Sequence, residues 1–349
     1  MELYTYNKDN LDYSLNFKKS YKSSSGIVYH KHILNFKSAY STGIQENDMV
    51  YCELYSKKKV YRKASGKKTS STVSNYTKTS QHAPLVIFLH GFATNDKKIE
   101  NYSSFIKKLM DFNINCLFIN LPFHLNRRPA NELSGKRLIY FDDKETLLFF
   151  HQSVVDIRKS LDVLENIIST KKVYLLGISL GSMISSVAAA FEPKIDKTIL
   201  VLGGGRWEEV HWNGILKYIL KGNCDDDRIM TKSKCHDHYL NFDAFSQKLK
   251  EENPDRITFD LEGNPEIKNH CAKKCFLCDP IAFAYKINPK NIMMINSRID
   301  HFFSKKSTVK LWDSLGKPEI YWLNYPHVSK IISRKNVFER IIQFFDLKP

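Results

Sequence analysis

The rhythm of apolar and polar positions changes at Pro84. Before it, three runs at 13–22, 27–37 and 48–56 alternate aromatic or β-branched residues with polar ones (Ile27, Tyr29; Val50, Cys52, Leu54). A period of two predicts antiparallel strands with one wet face. After Pro84 the strand-like runs become continuously apolar: Leu85–Leu89, Cys116–Ile119, Val173–Leu176, Ile199–Leu202 and Ile292–Ile295. Such runs predict strands buried on both faces, as in a parallel sheet between helices. Helical spacing separates them: 98–112 carries Tyr102, Phe105, Ile106 and Leu109 on one face, and 144–169 carries Leu147, Leu148, Val154, Ile157, Leu161, Leu164 and Ile167. A further helix at 180–191, a strand at Glu319–Leu323 and a last helix at 329–346 complete the alternation. The expectation is an α/β fold: a mostly parallel central sheet, antiparallel strands at its N-terminal side and helices on both faces.

Two segments stand outside this alternation. Residues 57–83 form a Ser/Thr/Lys-rich stretch, expected as a basic, flexible loop insertion. Residues 206–278 are too long for a connection and hold Trp207, Trp212 and five of the seven cysteines. That length after a central strand predicts a lid or cap. Within it, Val210, Trp212, Ile215, Leu216, Ile219 and Leu220 have the spacing of a helix roofing an apolar pocket, a stripe that core packing also produces. The remainder reads as a single domain over 1–349.

Composition narrows the class. The chain is 42% hydrophobic and 26% charged, ordinary for a globular protein. No run approaches the roughly 18 apolar residues of a membrane span, and the start Met-Glu-Leu-Tyr-Thr-Tyr-Asn-Lys lacks an apolar signal core. A cytoplasmic protein is the expectation. Lys and Arg outnumber Asp and Glu by 53 to 37. Half of that excess lies in residues 57–80, with no recognition motif beside it, so nucleic acid is not the expected partner. The same stretch can attract anionic membrane surfaces weakly.

The candidate chemistry begins at Gly177-Ile-Ser179-Leu-Gly181. The pentapeptide arises readily by chance; here an apolar strand precedes it and a small-residue helix follows. That context predicts a nucleophile elbow, a sharp turn that lifts the Ser179 hydroxyl above the sheet edge. A serine needs a general base. Of the downstream histidines (His211, His236, His238, His270, His301 and His327), only His327 sits in a loop after the last strand. The acid expected to orient it is Asp300, in the loop leaving the strand at 292–295. Asp279 reads instead as the N-cap of a helix at 280–286. Oxyanion donors are expected from the backbone amides of Leu180, after the nucleophile, and Phe92, in the loop His90-Gly91-Phe92. His90 reads as a brace for that loop.

With these residues placed, the chain resembles the α/β-hydrolase superfamily over nearly its whole length, and more narrowly the dienelactone-hydrolase and acetyl-esterase-like branches. The His90-Gly91-Phe92 loop, the Gly177–Gly181 elbow, Ser297-Arg-Ile-Asp300 and Pro326-His327-Val328 carry the likeness. It is also similar to a bacterial subgroup with an arginine-bearing segment after the second parallel strand, here Leu121-Pro122-Phe123-His124-Leu-Asn-Arg127-Arg128-Pro129. The resemblance implies an α/β-hydrolase fold with a cap insertion, a Ser179–His327–Asp300 triad and carboxyl-ester hydrolysis of a small-molecule acyl ester without a cofactor. A peptidase or acyltransferase would use the same triad. A noncatalytic binding protein on this scaffold would be marked by a degenerate triad.

Two groups keep alternative readings. Arg127 and Arg128 follow a strand end and can hold an anionic substrate group, or make structural salt bridges to acids such as Asp142 and Asp143. Cys271, Cys275, Cys278 and Cys235 are weak candidates for a structural zinc within the cap, against the simpler reading of unpaired thiols.

Overall fold

The structure, a computed structural model, describes residues 2–8, 11–57, 83–220, 230–251 and 273–348. The basic stretch expected as a loop lies almost wholly outside the described residues, as do Cys224 and Cys271. The period-two runs form β1 (Tyr13–Lys22), β2 (Val28–Lys37) and β3 (Met49–Ser56), with a one-turn helix α1 (Gln45–Asp48) leading into β3. β1, β2 and β3 pair antiparallel, with a bulge in β1 between Phe17 and Lys19. The apolar runs form β4 (Leu85–Leu89), β5 (Asn115–Ile119), β6 (Val173–Ile178), β7 (Lys197–Val201) and β8 (Ile292–Ser297), and β9 (Glu319–Leu323) ends the sheet. Among the described residues they make one nine-stranded sheet in the order β1-β2-β3-β5-β4-β6-β7-β8-β9. β5 meets β3 antiparallel; from β5 through β9 every pairing is parallel. The expected α/β architecture is present.

Helices cover both faces, because strands apolar on both sides need cover on both. On one side α2 (Asp96–Leu109) and α10 (Lys335–Phe344) pack Tyr102, Phe105, Ile106, Val337 and Ile341 against Val86, Phe88 and Leu176. On the other lie α3 (Asp143–Leu164), α4 (Leu180–Phe191) and α9 (Lys305–Ser314). α3 starts at a capping box, Asp142 with Glu145, worth about 1 kcal/mol. Its burial extends well beyond the predicted apolar stripe: His151, Gln152 and Asp156 are also inside. α9, with Ser304 as its N-cap, is a helix that the hydrophobic pattern did not reveal. No helix among the described residues is long and apolar enough to cross a membrane.

Between β7 and β8 the chain makes α5 (Trp207–Trp212), α6 (Leu216–Ile219), α7 (Lys232–Tyr239) and α8 (Phe242–Glu251). The single helix expected over 210–220 is broken at Asn213-Gly214. Gly214 lies against the Phe302 carbonyl, where a Cβ has no room, so the chain bends around that loop. The helix expected at 280–286 is likewise absent: that stretch is a turn ending in a single 3-10 turn at Ala284–Lys286. Asp279 is no helix cap. Fully buried, its carboxylate accepts from the amides of Arg206, Trp207 and Ile281 and from the Tyr239 hydroxyl, tying the two ends of the insertion together.

Candidate active site

Sheet register brings the candidate residues to one edge. β4 lies between β5 and β6, so the strand order reverses there, and ligands collect at the carboxyl ends of strands beside such a reversal. Leu89 pairs with Gly177, so the loops that follow β4 and β6 leave the sheet side by side. Ser297 pairs with Leu323, so Asp300 and His327 emerge together from β8 and β9. Four loops thus converge.

Ser179 holds the left-handed φ of 56° with ψ of −117°, the sharp turn of an elbow. Its glycines are obligatory for close approach. A Cβ on Gly181 would lie 2.6 Å from the carbonyl oxygens of both His90 and Leu89, and one on Gly177 would collide with the Gly181 carbonyl and Ser185 Oγ. The Ser179 amide donates to Val201 O at 2.8 Å, which pins the turn to β7.

His327 Nε2 lies 2.9 Å from Ser179 Oγ, and its Nδ1 lies 2.7 Å from Asp300 Oδ2. The second carboxylate oxygen, Asp300 Oδ1, accepts from the amides of Phe302 and Phe303 at 2.7 and 3.0 Å. Those two residues also place their rings on the His327 imidazole, with centroids 4.6 and 5.7 Å away. Asp300 therefore orients the histidine while its own loop packs the ring. In this arrangement Nδ1–H donates to the carboxylate and Nε2 is left as an acceptor toward the Ser179 hydroxyl.

The loop after β4 faces the serine. A Cβ on Gly91 would meet Ser179 Cβ at 3.3 Å, so glycine permits the approach. The Gly91 carbonyl accepts from Thr94 Oγ1 at 2.8 Å and from His90 Nδ1 at 2.8 Å. The Leu121 amide donates to His90 Nε2 at 3.1 Å, which fixes the tautomer with the proton on Nδ1. Burial holds the His90 pKa well below the usual imidazole value, so it stays neutral. C=O and N–H point oppositely across a trans peptide, so anchoring the Gly91 carbonyl directs the Phe92 amide away from the brace. Neither the Phe92 nor the Leu180 amide has an acceptor among the described residues. Leu180 opens α4, where first-turn amides lack helical partners and the dipole favours negative charge.

Ser179, His327, Phe92 and Leu180 line a cavity of about 710 Å³. Apolar side chains from α3, α4 and the insertion contribute much of its lining: Phe149, Phe150, Met183, Trp207, Val210 and Leu216. Lys97, Lys98 and Lys330 also line it.

The two arginines are not at this cavity. Arg127 is fully buried: Nε and Nη2 donate to Asn47 O at 3.0 and 2.6 Å, Nη1 to Asn120 O at 3.2 Å, and Nη2 also pairs with Asp156 at 2.8 Å. Its donors are committed to the fold, so the expectation that it holds a substrate anion is corrected. The structural alternative holds, with Asp156 of α3 as partner in place of Asp142 or Asp143. Arg128 is exposed, donates to Leu125 O at 2.6 Å, and does not line the cavity either.

Of the four cysteines weighed for zinc, Cys271 lies outside the described residues. Cys235 and Cys275 line the cavity wall, whereas Cys278 is buried with its thiol donating to Cys275 O at 3.3 Å. Burial raises the pKa of Cys278 well above the free-thiol value, which disfavours the thiolate a metal needs. Among the described residues no three His, Cys, Asp or Glu side chains gather to hold a metal.

Sequence reasoning gave no role to His124, Lys98 or Thr94, all of which contact the Gly91–Ala93 loop. Thr94 follows the His90-Gly91-Phe92 loop by two residues, and His124 lies in the arginine-bearing segment.

The sheet order, the elbow and the converging loops define the class: the protein is an α/β-hydrolase. Residues 65–347 match the family model for alpha/beta hydrolase domain containing 18, and the chain belongs to that family. A segment of 88 residues, 25% of this chain, is 28% identical to 76% of an uncharacterised protein, YdjC, of Bacillus subtilis strain 168. Among solved structures, an acetyl xylan esterase from Paenibacillus sp. R4 superposes with a TM-score of 0.57 at 11% identity, covering 97% of this chain and 90% of that one. A cold-adapted esterase from an Arctic intertidal metagenomic library, bound to polyethylene glycol, does so with a TM-score of 0.50 at 15% identity, covering 96% of this chain and 100% of its own.

Proposed function

We propose that this protein is a serine carboxylic ester hydrolase that works through an acyl-enzyme. The observation that carries the reading is the continuous Ser179–His327–Asp300 hydrogen-bond chain, whose serine and histidine line a largely apolar cavity. Ser179 Oγ attacks the ester carbonyl as His327 Nε2 takes its proton; the Oγ–C bond forms and the carbonyl electrons move to oxygen. Asp300 keeps the imidazole in the right tautomer and stabilises the imidazolium. The amides of Phe92 and Leu180 receive the oxyanion. His327 then returns the proton to the departing alkoxide, and water repeats the sequence on the acyl-enzyme. The two structural neighbours named above are themselves esterases, in keeping with this chemistry.

The cavity supports a choice of acyl group as well. Phe149, Phe150, Met183 and Trp207 offer an acyl chain an apolar surface that an acetyl group would leave unused. Each buried methylene contributes about 0.8 kcal/mol, roughly a four-fold gain in kcat/KM per added carbon until the chamber fills.

The test uses a fluorophosphonate probe and a series of p-nitrophenyl esters. The parent protein is expected to label and hydrolyse, with kcat/KM rising from acetate toward medium-length chains; Ser179→Ala is expected to lose both reactions. A folded parent that stays unlabelled, or a Ser179→Ala variant that hydrolyses as before, ends the proposal. An acetate optimum would end the acyl-chain part alone.

A further inference from the structure

The Phe92–Ala93 peptide is held at both ends by side chains from elsewhere. Its carbonyl, Phe92 O, accepts from Lys98 Nζ at 3.1 Å, and its N–H, on Ala93, donates to His124 Nε2 at 3.3 Å. Lys98 also donates to the next carbonyl, Ala93 O, at 3.2 Å. Ala93 has a φ of 49°, in the left-handed region that a residue with a Cβ rarely occupies. A strained residue persists only where its surroundings over-determine it. From these contacts we propose that His124, assisted by Lys98, is a positioning residue: it clamps the Phe92–Ala93 peptide and so aims the neighbouring Phe92 amide at the oxyanion. This rests on the serine-hydrolase reading above.

Several independent features fit His124 to that task. Its ring is buried, and its Nδ1 lies 2.8 Å from Pro122 O, so Nδ1 carries the proton and Nε2 is left as an acceptor. Burial lowers its pKa to about 4, so the acceptor survives at neutral pH. The residues on either side, Phe123 and Leu125, have φ of 58° and 51°. Two strained neighbours around one histidine mean that the chain is bent to deliver that side chain. The bend is anchored from below: Phe123 N donates to Asn47 Oδ1 at 2.9 Å, and Arg127 grips Asn47 O, Asn120 O and Asp156. Gly135 (φ 75°) closes over the ring, where any Cβ would strike Nε2. Through these contacts the interior fixes His124, and His124 fixes a loop that has no regular hydrogen-bond ladder of its own.

The experiment compares His124→Phe, His124→Gln and Lys98→Met with the parent. Readouts are kcat and KM on a p-nitrophenyl ester, the Ki of a trifluoromethyl ketone, and the Ki of the corresponding alcohol, which forms no oxyanion. Phe retains ring volume but removes the acceptor; Gln supplies an amide oxygen in its place. Removing an oxyanion donor outright costs about 100- to 1,000-fold in kcat, so loosening one is expected to cost about 10- to 100-fold. His124→Phe is expected to show that loss in kcat with KM within about three-fold, a parallel rise in the ketone Ki, and no change in the alcohol Ki; His124→Gln is expected to recover part. Should His124→Phe fail to fold, Lys98→Met, which leaves the buried ring in place, is expected to show the same pattern at smaller amplitude. Unchanged kcat, a ketone Ki that does not follow kcat/KM, or a Lys98→Met protein with parental constants would overturn the proposal. Fluorophosphonate labelling of the parent separates the cases: labelled parent with indifferent variants rejects the clamp alone, and an unlabelled parent rejects the hydrolase reading beneath it.

Discussion

Replacing Arg127 with methionine separates the two roles that its sequence position allows. Methionine keeps much of the volume but removes the hydrogen bonds to Asn47 O and Asn120 O and the partner of Asp156. Both ion-pair partners are essentially without solvent contact, 0% and 1% exposed, so water cannot replace what is lost. Breaking such a pair from one side costs about 3–5 kcal/mol. Asp156 moderates this by protonating, since burial already raises its pKa and Arg127 is the charge that holds it down. A net loss of about 4 kcal/mol corresponds to a melting point lower by roughly 5–10 °C for a chain this long. The assay is thermal unfolding followed by ester hydrolysis per folded molecule, using paired substrates that differ only in a carboxylate on the acyl chain. The expected result is a large stability loss with the acid-to-neutral ratio of kcat/KM unchanged. Adding Asp156→Leu is expected to return part of the stability, because the orphaned carboxyl leaves with its partner. A parental melting point with a selective loss on the acidic ester would refute the structural role.

Two further outcomes follow from the packing. Gly181→Ala places a Cβ 2.6 Å from two backbone carbonyls of the β4 loop, contacts that no side-chain rotation relieves; labelling of Ser179 is expected to fall at least ten-fold while circular dichroism stays near parental, and full labelling would mean the turn does not need the glycine. His151 accepts from the Tyr4 amide, and burial lowers its pKa to about 3, so between pH 6.5 and that value the unfolded chain binds a proton that the native state refuses. Its stabilisation is complete above pH 6.5 and fades on acidification by about 1.4 kcal/mol per pH unit, whereas the raised pKa values of buried Asp156 and Asp279 act in the opposite direction. A His151→Phe variant is therefore expected to lose less melting temperature than the parent between pH 7 and pH 5, and identical slopes would contradict the assignment.

The strands were legible because burial on one face or two leaves different periods in the sequence, and Glu319–Leu323 was located to the residue. The helices were less so. α9 escaped because its buried positions, Ser307, Thr308 and Leu311, include two hydroxyl residues that pack against Gly203–Gly205 and carry no apolar signal. The apolar stripe across 210–220 has helical spacing, yet the chain breaks at Asn213-Gly214, where the Phe302 carbonyl lies so close that a Cβ on Gly214 would come within 2.3 Å of its oxygen. That obstacle comes from a loop almost ninety positions away. Periodicity records which residues avoid water, and it is silent about what they meet.

The candidate site was legible to the same degree and failed in the same manner. Ser179, His327 and Asp300 could be ordered because strand, loop and residue type together determine which side chains reach the carboxyl edge of a parallel sheet. In Leu121–Pro129 that logic pointed to the arginines, the residues with the most chemistry to offer. Sequence distance from the strand end misled, because Phe123 and Leu125 both turn left-handed and fold the chain back on itself. The turn sends Arg127 down to Asp156 and sends His124 toward the Ala93 amide. Roles within the segment are therefore reversed: Arg127 is the anchor, and the neutral imidazole of His124 is the group that reaches the loop facing Ser179. A guanidinium in that place would add a second cation beside Lys98 and could not accept the Ala93 proton. Under the proposed clamp the loop needs an acceptor there, which a neutral histidine provides when Pro122 O holds its Nδ1 proton, while Arg127 anchors the same bend through Asn47, Asn120 and Asp156.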